Sequence, residues 1–416
     1  MEPYKKIVLP SGARVVTEEI PHVRSCTVGL WLNAGSCREK PETNGISHFI
    51  EHLVFKGTET RTARQIAEEI DRVGGHLNAV TGRDHTCFYA KVPDKHVGLA
   101  VDIICDIVCH PLLRESDIEK EKGVIAEEIA MYEDSPEEVV HDLLASTAWG
   151  SCGFGLPILG SLKTLRNFTR EDVVDYISGH YVQEGAVIAI AGNIRHEEVV
   201  ETVSKHLDLA RTPTKSPVTA KWKPNGQAFR SKAIEQAHLA IGYEAVDKHH
   251  PDRFGLYILD VAIGAGLSSR LFQKLREDLG LVYSTYTYTA LFEGTGAFVI
   301  YAGTSVEKAG LVRDLILREV DDICNNGLEW EEYSLGKEQL KNALAINLET
   351  TNSRMSRLGM MELTGGPLWT PDQVSGIIDN VTYDDVNRIA RELFSSDSPV
   401  MVVAGPRKTR SFLVRR

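Results

Sequence analysis

The sequence predicts an α+β protein built by duplication: two homologous domains of similar fold, each a mostly antiparallel sheet with helices packed on one face. Three observations predict it. The chain has 416 residues, more than a single hydrophobic core, which stops growing at about 250–300 residues, would organise. One stretch of the first half recurs in the second at a fixed offset. Runs of strands also alternate with runs of helices in a similar order in both halves, the pattern of a layered α+β domain.

The recurrence is specific. FTREDVVDYISGHYVQEGAVIAIAGNI, from residue 168, is echoed by VTYDDVNRIARELFSSDSPVMVVAGP, from residue 381. Thr169 pairs with Thr382, Asp172 with Asp385, Val173 with Val386, Tyr181 with Phe394 and Gly192 with Gly405, always 213 residues apart. Each copy reads as a Thr-capped helix followed by a buried strand ending in Ala-Gly. In the first half, after an opening strand at Lys5–Leu9, strands are expected near 24–34, 75–81 and 84–92, with helices near 45–55, 63–73, 94–109, 115–133 and 136–149. In the second, strands are expected near 237–243, 283–290 and 295–303, with helices near 252–264, 268–279, 306–325, 330–349 and 353–363. A polar stretch with three prolines and neither period, ARTPTKSPVTAKWKPNG, separates the halves. The predicted division is therefore a first domain over 1–212, a linker over 213–226 and a second domain over 227–416.

Composition is that of an ordinary globular protein, 43% hydrophobic and 25% charged, with a formal net charge of −12. That charge disfavours nucleic acid as a partner and mildly favours basic ligands. No apolar run reaches the eighteen residues of a membrane span, so no membrane partner is expected. The first residues, MEPYKKIVLPSGARVV, resemble neither a signal nor a transit segment, and a cytoplasmic protein is the expectation. Seven cysteines without a C-x-x-C fit a reducing compartment. Cys105 and Cys109, four apart beside His110, read as core positions of an amphipathic helix rather than as metal ligands.

The chemistry is concentrated in His48-Phe49-Ile50-Glu51-His52. On a helix, histidines four apart share a face one turn apart, and two imidazoles so placed suit Zn²⁺. Glu51 sits beside that pair, where a carboxylate can take a proton from a water and pass it to a leaving amine. H-x-x-E-H is the zincin motif in inverted order. Taken alone, two histidines at this spacing also occur on helices that bind nothing. A catalytic zinc site needs a third ligand. The acidic helix IEKEKGVIAEEIAMYEDSPEE offers Glu121 and Glu128, seven apart on one face, with Glu127 turned elsewhere. A solvated acidic face explains that helix equally well.

The flanking motifs give a resemblance. The chain is similar over nearly its whole length to the pitrilysin-type inverzincins, and within them to the mitochondrial processing peptidase β-subunit and its bacterial homologues. The run His52 to Thr58 stands where that family has H-[LM]-x-F-K-G-T, and Gly74-Gly75-His76-Leu77-Asn78-Ala79-Val80-Thr81 looks like its G-G-x-x-N-A-x-T strand. Arg83-Asp84-His85-Thr86 departs from the family's Arg-Glu-His-Thr by one conservative exchange. The resemblance implies Glu128, 76 residues after His52, as the third metal ligand, and Glu121 as a supporting carboxylate. It implies that Asn78 and Ala79 lie on an edge strand to which substrate adds as a further strand. It implies that Arg276 and Tyr283, in LREDLGLVY, hold the substrate backbone and the developing oxyanion. It implies that Phe55 lines a pocket for the residue after the cut, and that Glu138 and Asp142 bind an arginine upstream of it. An exposed helix face accounts for those two acids equally well.

The expected function is thus that of a zinc metalloendopeptidase with one Zn²⁺ per chain and Glu51 as the base, cleaving extended, unfolded, basic peptides. The second-half segment LYILDVAIGAG has no histidines, so only the first half binds metal. Family members of this size form dimers, which implies a homodimer here. The alternatives are a non-catalytic peptide-binding or structural subunit, or an active subunit that needs an inactive partner. Non-catalytic relatives lose metal ligands or the catalytic glutamate, whereas His48, Glu51, His52 and Glu128 are all present.

Overall fold

A computed structural model describes residues 4–210, 218, 221–395 and 399–413. Within the expected linker, residues 213–217 and 219–220 lie outside the described residues. The chain forms two compact units. The first comprises Met1–Ile129, Pro157–Pro217 and Ile346–Thr370; the second comprises Ala130–Leu156, Val218–Ala345 and Pro371–Arg416.

The first unit holds strands β1 (Tyr4–Val8), β2 (Arg14–Glu19), β3 (Ser25–Leu32), β4 (His76–Thr81), β5 (Thr86–Pro93) and β6 (Val187–Gly192). Its helices begin with α1 (Ile46–Val54), α2 (Ala63–Arg72), α3 (Val97–Cys109) and α4 (Glu115–Asp134), the last of which continues into the second unit. The second unit then opens with α5 (Pro136–Trp149), before α6 (Leu162–Asn167), α7 (Arg170–His180) and α8 (His196–His206) return to the first. The rest of the second unit contains β7 (Gln227–Ser231), β8 (Gln236–Ala245), α9 (Arg253–Ile263), β9 (Val282–Phe292), β10 (Thr295–Ser305), α10 (Ala309–Asn326) and α11 (Trp330–Asn347). After α12 (Thr351–Leu363), which belongs to the first unit, it ends with α13 (Pro371–Asn380), α14 (Tyr383–Phe394) and β11 (Val400–Gly405).

The duplication is visible in the pairing. The first sheet runs β1-β2-β6-β3-β5-β4 and the second β7-β11-β8-β10-β9. From β2 and from β7 onward, both show one parallel pair followed by three antiparallel pairs. The repeated helices α7 and α14 start with the same capping box, Thr169 with Asp172 and Thr382 with Asp385. The edge strands correspond as well. Gly74 (φ +69°) precedes Thr81 by seven residues, and Gly280 (φ +56°) precedes Thr287 by seven.

Both faces of the first sheet are covered. Val15, Val28, Leu30, Leu32, Phe88, Ile188 and Ile190 pack with α1, α3 and α7 in the main core. The alternate residues Val16, Trp31, Cys87, Val187, Ala189 and Ala191 pack with Met355 and Leu358 of α12. Strands β3 and β6 are accordingly buried almost throughout, as strands covered on both faces must be. The second sheet has a corresponding cover in α5, which packs on β7, β8 and β11. The compact units therefore do not follow the division of the sequence: α5 lies before the linker and α12 after it, yet each belongs to the unit of the other half. Their apolar faces read as helix in the sequence, but which sheet they cover depends on long-range packing that periodicity does not encode. Cys105 is buried in α3 and Cys109 half-buried there, as core positions.

Candidate metal centre

The helix carrying the motif is held by its beginning. Gly45 precedes α1 with φ +97°, and a Cβ there would meet the Leu159 carbonyl oxygen at 2.7 Å. Gly45 has no side chain to cap the helix. Glu39 supplies the cap from six residues upstream: its carboxylate accepts from the Gly45 N–H (2.7 Å), the Ser47 N–H (2.8 Å) and the Asn44 amide (2.8 Å). Burial pushes the Glu39 carboxyl up, and these donors oppose the shift. Ile46, Phe49, Ile50 and Leu53 anchor α1 in the core, leaving His48, Glu51 and His52 on the remaining face.

His48, His52 and Glu128 converge. One ligand atom from each lies within 4.8 Å of the others, and no other such group of His, Cys, Asp and Glu occurs among the described residues. Nε2 of His48 is 3.6 Å from one Glu128 oxygen, and Nε2 of His52 is 3.5 Å from the other. These separations are long for hydrogen bonds. They are of the order of the roughly 3.3 Å between neighbouring ligand atoms of a tetrahedral shell with bonds of ~2.0–2.1 Å, each histidine facing a different Glu128 oxygen.

Protonation favours the same use. Burial, with a smaller contribution from His52, lowers the His48 pKa to about 4, so its imidazole is neutral with a lone pair to offer. His52 Nδ1 lies 3.2 Å from Glu121, whose other oxygen accepts from Lys56 Nζ at 2.7 Å. A carboxylate that accepts from Nδ1–H fixes the tautomer and leaves Nε2 free to bind. The donor set thus fits zinc, and Glu121, expected to support the site, lies against the Nδ1 of His52. Glu121→Gln should weaken zinc binding about 10–100-fold without abolishing it at saturation, read by competition with a chromophoric chelator. An unchanged affinity would remove Glu121 from the centre.

Glu51 is not one of the converging ligands. It accepts a hydrogen bond from the Thr81 hydroxyl, and burial raises its carboxyl above the ordinary range while that bond opposes the rise. Thr81 and Lys56 were missed as functional residues. The signal for Thr81 was its place at the end of the G-G-x-x-N-A-x-T motif; the signal for Lys56 was its place in the run His52 to Thr58. The corresponding threonine of the second unit, Thr287, donates to the Asp260 main-chain oxygen of α9 at 3.0 Å. Burial pushes the Asp260 carboxyl up to about 6. With no histidine in α9, the second unit keeps the scaffold of the site without its ligands.

The remaining expected residues are distributed as follows. Asn78 and Ala79 lie on β4, which ends the first sheet and, among the described residues, pairs only with β5. The Asn78 side-chain oxygen accepts from the Ala79 N–H at 2.9 Å. Phe55 follows α1, half-buried, with its ring centroid 6.4 Å from that of Phe88. Arg276, Tyr283, Glu138 and Asp142 belong to the second unit. The Arg276 guanidinium lies over the Phe272 ring at 5.0 Å, and Tyr283 is 60% exposed at the start of edge strand β9. Glu138 is exposed and Asp142 half-buried on α5. That helix is fixed to its sheet by Glu137 and His141. Tyr286 donates to Glu137 at 2.7 Å, and the two nitrogens of His141 meet Tyr286 (2.8 Å) and Tyr288 (3.0 Å).

Comparison with known proteins agrees with this geometry. Residues 14–161 match the family described as "Insulinase (Peptidase family M16)", and residues 167–340 match "Peptidase M16 inactive domain". The chain is 39% identical to the uncharacterized zinc protease YmxG of Bacillus subtilis over 403 residues, covering 96% of this chain and 98% of that one. An uncharacterized zinc protease of Streptomyces coelicolor is 38% identical over 415 residues, 98% of this chain and 90% of that protein. Among solved structures, a protease from Helicobacter pylori superposes with a TM-score of 0.91 at 21% identity, covering 97% of this chain and 99% of that one. A peptidase M16 inactive domain from Pseudomonas fluorescens superposes with a TM-score of 0.90 at 17% identity, covering 97% and 98%. No helix among the described residues is long and apolar enough to cross a membrane.

Proposed function

Because the chain belongs to peptidase family M16, we propose that it is a zinc-dependent endopeptidase in which His48, His52 and Glu128 hold one metal ion and Glu51 moves the proton. The observation that carries the reading is the convergence of those three residues beside Glu51, a half-buried carboxylate that is not one of the converging group. Zinc in this position supplies Lewis acidity toward the attacking water and the scissile carbonyl. Glu51 takes the proton from the water at its carboxylate and returns it to the departing amine, and its raised pKa brings it closer to what both transfers need. The Thr81 hydroxyl fixes which way that carboxylate faces.

The substrate is an extended, unfolded peptide that pairs along the open edge of β4 at Asn78 and Ala79, which gives affinity with little demand on sequence. Arg276 and Tyr283 of the second unit bind the peptide backbone and the carbonyl oxygen, Phe55 lines the pocket after the cut, and Glu138 with Asp142 receive a substrate arginine. The acidic net charge of −12 supports a basic substrate. The protein works as a homodimer in the cytoplasm.

The test is cleavage of unstructured peptides. Replacing a substrate arginine by alanine should slow cleavage by about tenfold or more, the scale of losing a charge-assisted pair. Arg276→Ala should slow it with metal content unchanged. An equal rate for the alanine peptide removes the Glu138/Asp142 subsite, and loss of zinc from Arg276→Ala contradicts the role given to Arg276.

A further inference from the structure

The two histidines of the proposed centre are supported differently. Nδ1 of His52 lies 3.2 Å from the Glu121 carboxylate, which Lys56 holds in turn. His48 has no comparable support at its ring. Its Nδ1 is buried without a hydrogen-bond partner among the described residues, whereas a metal-bound imidazole ordinarily donates its second N–H to an acceptor. The direction of its Nε2 then depends on the main chain that carries the ring.

That main chain is the first turn of α1, of which His48 is the third residue. A helix start leaves four N–H groups without intrahelical partners, and an unsupported first turn frays. Glu39, only 6% exposed, engages two of them with different oxygens: Oε2 accepts from Gly45 and Oε1 from Ser47. The Asn44 amide fixes the carboxylate itself, donating to Oε2 and to the Pro157 main-chain oxygen, each at 2.8 Å. Ser47, the residue before His48, is held a second time. Its hydroxyl donates to that of Tyr176 at 2.7 Å, which donates to the Gly35 main-chain oxygen at 3.4 Å. The second unit provides the contrast. Its helix α9 carries no histidine, and its start has no side-chain cap hydrogen bond; Asp252, at that position, pairs with Arg388 of α14 at 2.8 Å.

We propose that Glu39 is a positioning residue of the metal centre, fixing His48 through the main chain as Glu121 fixes His52 through the ring. The proposal rests on the reading that His48 is a zinc ligand. It goes beyond that reading, because it makes a buried residue outside the ligand set, nine positions before His48, a determinant of zinc affinity.

Glu39→Gln tests it in the full-length protein. Glutamine fills the same space but offers one oxygen, so its amide nitrogen faces either the Ser47 N–H or the donors of Gly45 and Asn44. Zinc affinity, read by competition with a chromophoric chelator, should fall about tenfold. The rise in melting temperature on adding zinc should shrink with it. Thr382→Ala, which removes the cap of α14 in the second unit, is the control for lost stability alone: it should lower the melting temperature and leave zinc affinity as in the wild type. Asn44→Ala removes one donor to the same carboxylate oxygen and should weaken zinc binding about threefold. Wild-type affinity in folded Glu39→Gln overturns the positioning role alone, as does a loss that Thr382→Ala matches. If Glu39→Gln does not fold, unchanged affinity in Asn44→Ala overturns it. A wild type that binds no zinc overturns the reading of His48 as a ligand, and the positioning role with it.

Discussion

Glu51→Gln should bind zinc as the parent does and lose peptide cleavage by about 10²–10⁴-fold. The separation follows from the geometry. His48, His52 and Glu128 converge within 4.8 Å, whereas Glu51 is directed to the Thr81 hydroxyl. Glutamine has nearly the same shape and can still accept the threonine hydrogen bond, so α1 and its ligands keep their places. What is lost is the ability to take up a proton at that position. Metal content by mass spectrometry and initial rates on one peptide check both halves of the expectation. A variant that cleaves at the parental rate would show that Glu51 is not the base; one that loses its metal would show that Glu51 belongs to the ligand set.

His52→Ala should fail in the opposite order, losing metal first. The residue joins three groups: Nε2 faces Glu128 at 3.5 Å, Nδ1 meets Glu121 at 3.2 Å, and its ring stands 4.7 Å from that of His48. Alanine removes one of the three proposed ligands and leaves Glu121 paired with Lys56. Zinc affinity should fall by more than the roughly 10–100-fold that loss of a supporting group such as Glu121 produces. The protein should remain folded, because the core side of α1 is formed by Phe49, Ile50 and Leu53, all essentially inaccessible. Chelator competition and a thermal melt on the same preparation distinguish the two effects. Zinc affinity equal to that of Glu121→Gln would mean that His52 is not a ligand.

Much of this site was legible because its determinants are local or carried by fixed spacing. The i,i+4 histidines and the intervening glutamate lie within one helix of nine residues. Glu128 came from a spacing to His52 that the family resemblance supplied, and the structure brings it to the histidines. The repeated capping boxes of α7 and α14, identified from Thr169 and Thr382, are local hydrogen bonds and were readable for that reason.

The parts that were not legible depend on contacts between distant segments. Glu39 caps α1 from outside the helix, and nothing in the helix sequence points to it. Lys56 reaches the centre only through Glu121, on a helix more than sixty residues away. The exchange of α5 and α12 between units reflects which sheet face each covers. Gly359 of α12 illustrates the condition: a Cβ there would lie 2.1 Å from Trp31 Nε1, so β3 demands glycine at a position where the helical pattern asks only for a small residue.

The most direct test of the central claim is zinc content and peptide cleavage measured on one sample before and after chelation. The account predicts about one zinc per chain, cleavage that disappears when the metal is removed, and recovery when zinc is restored. Undiminished cleavage by protein shown to be free of metal would contradict it.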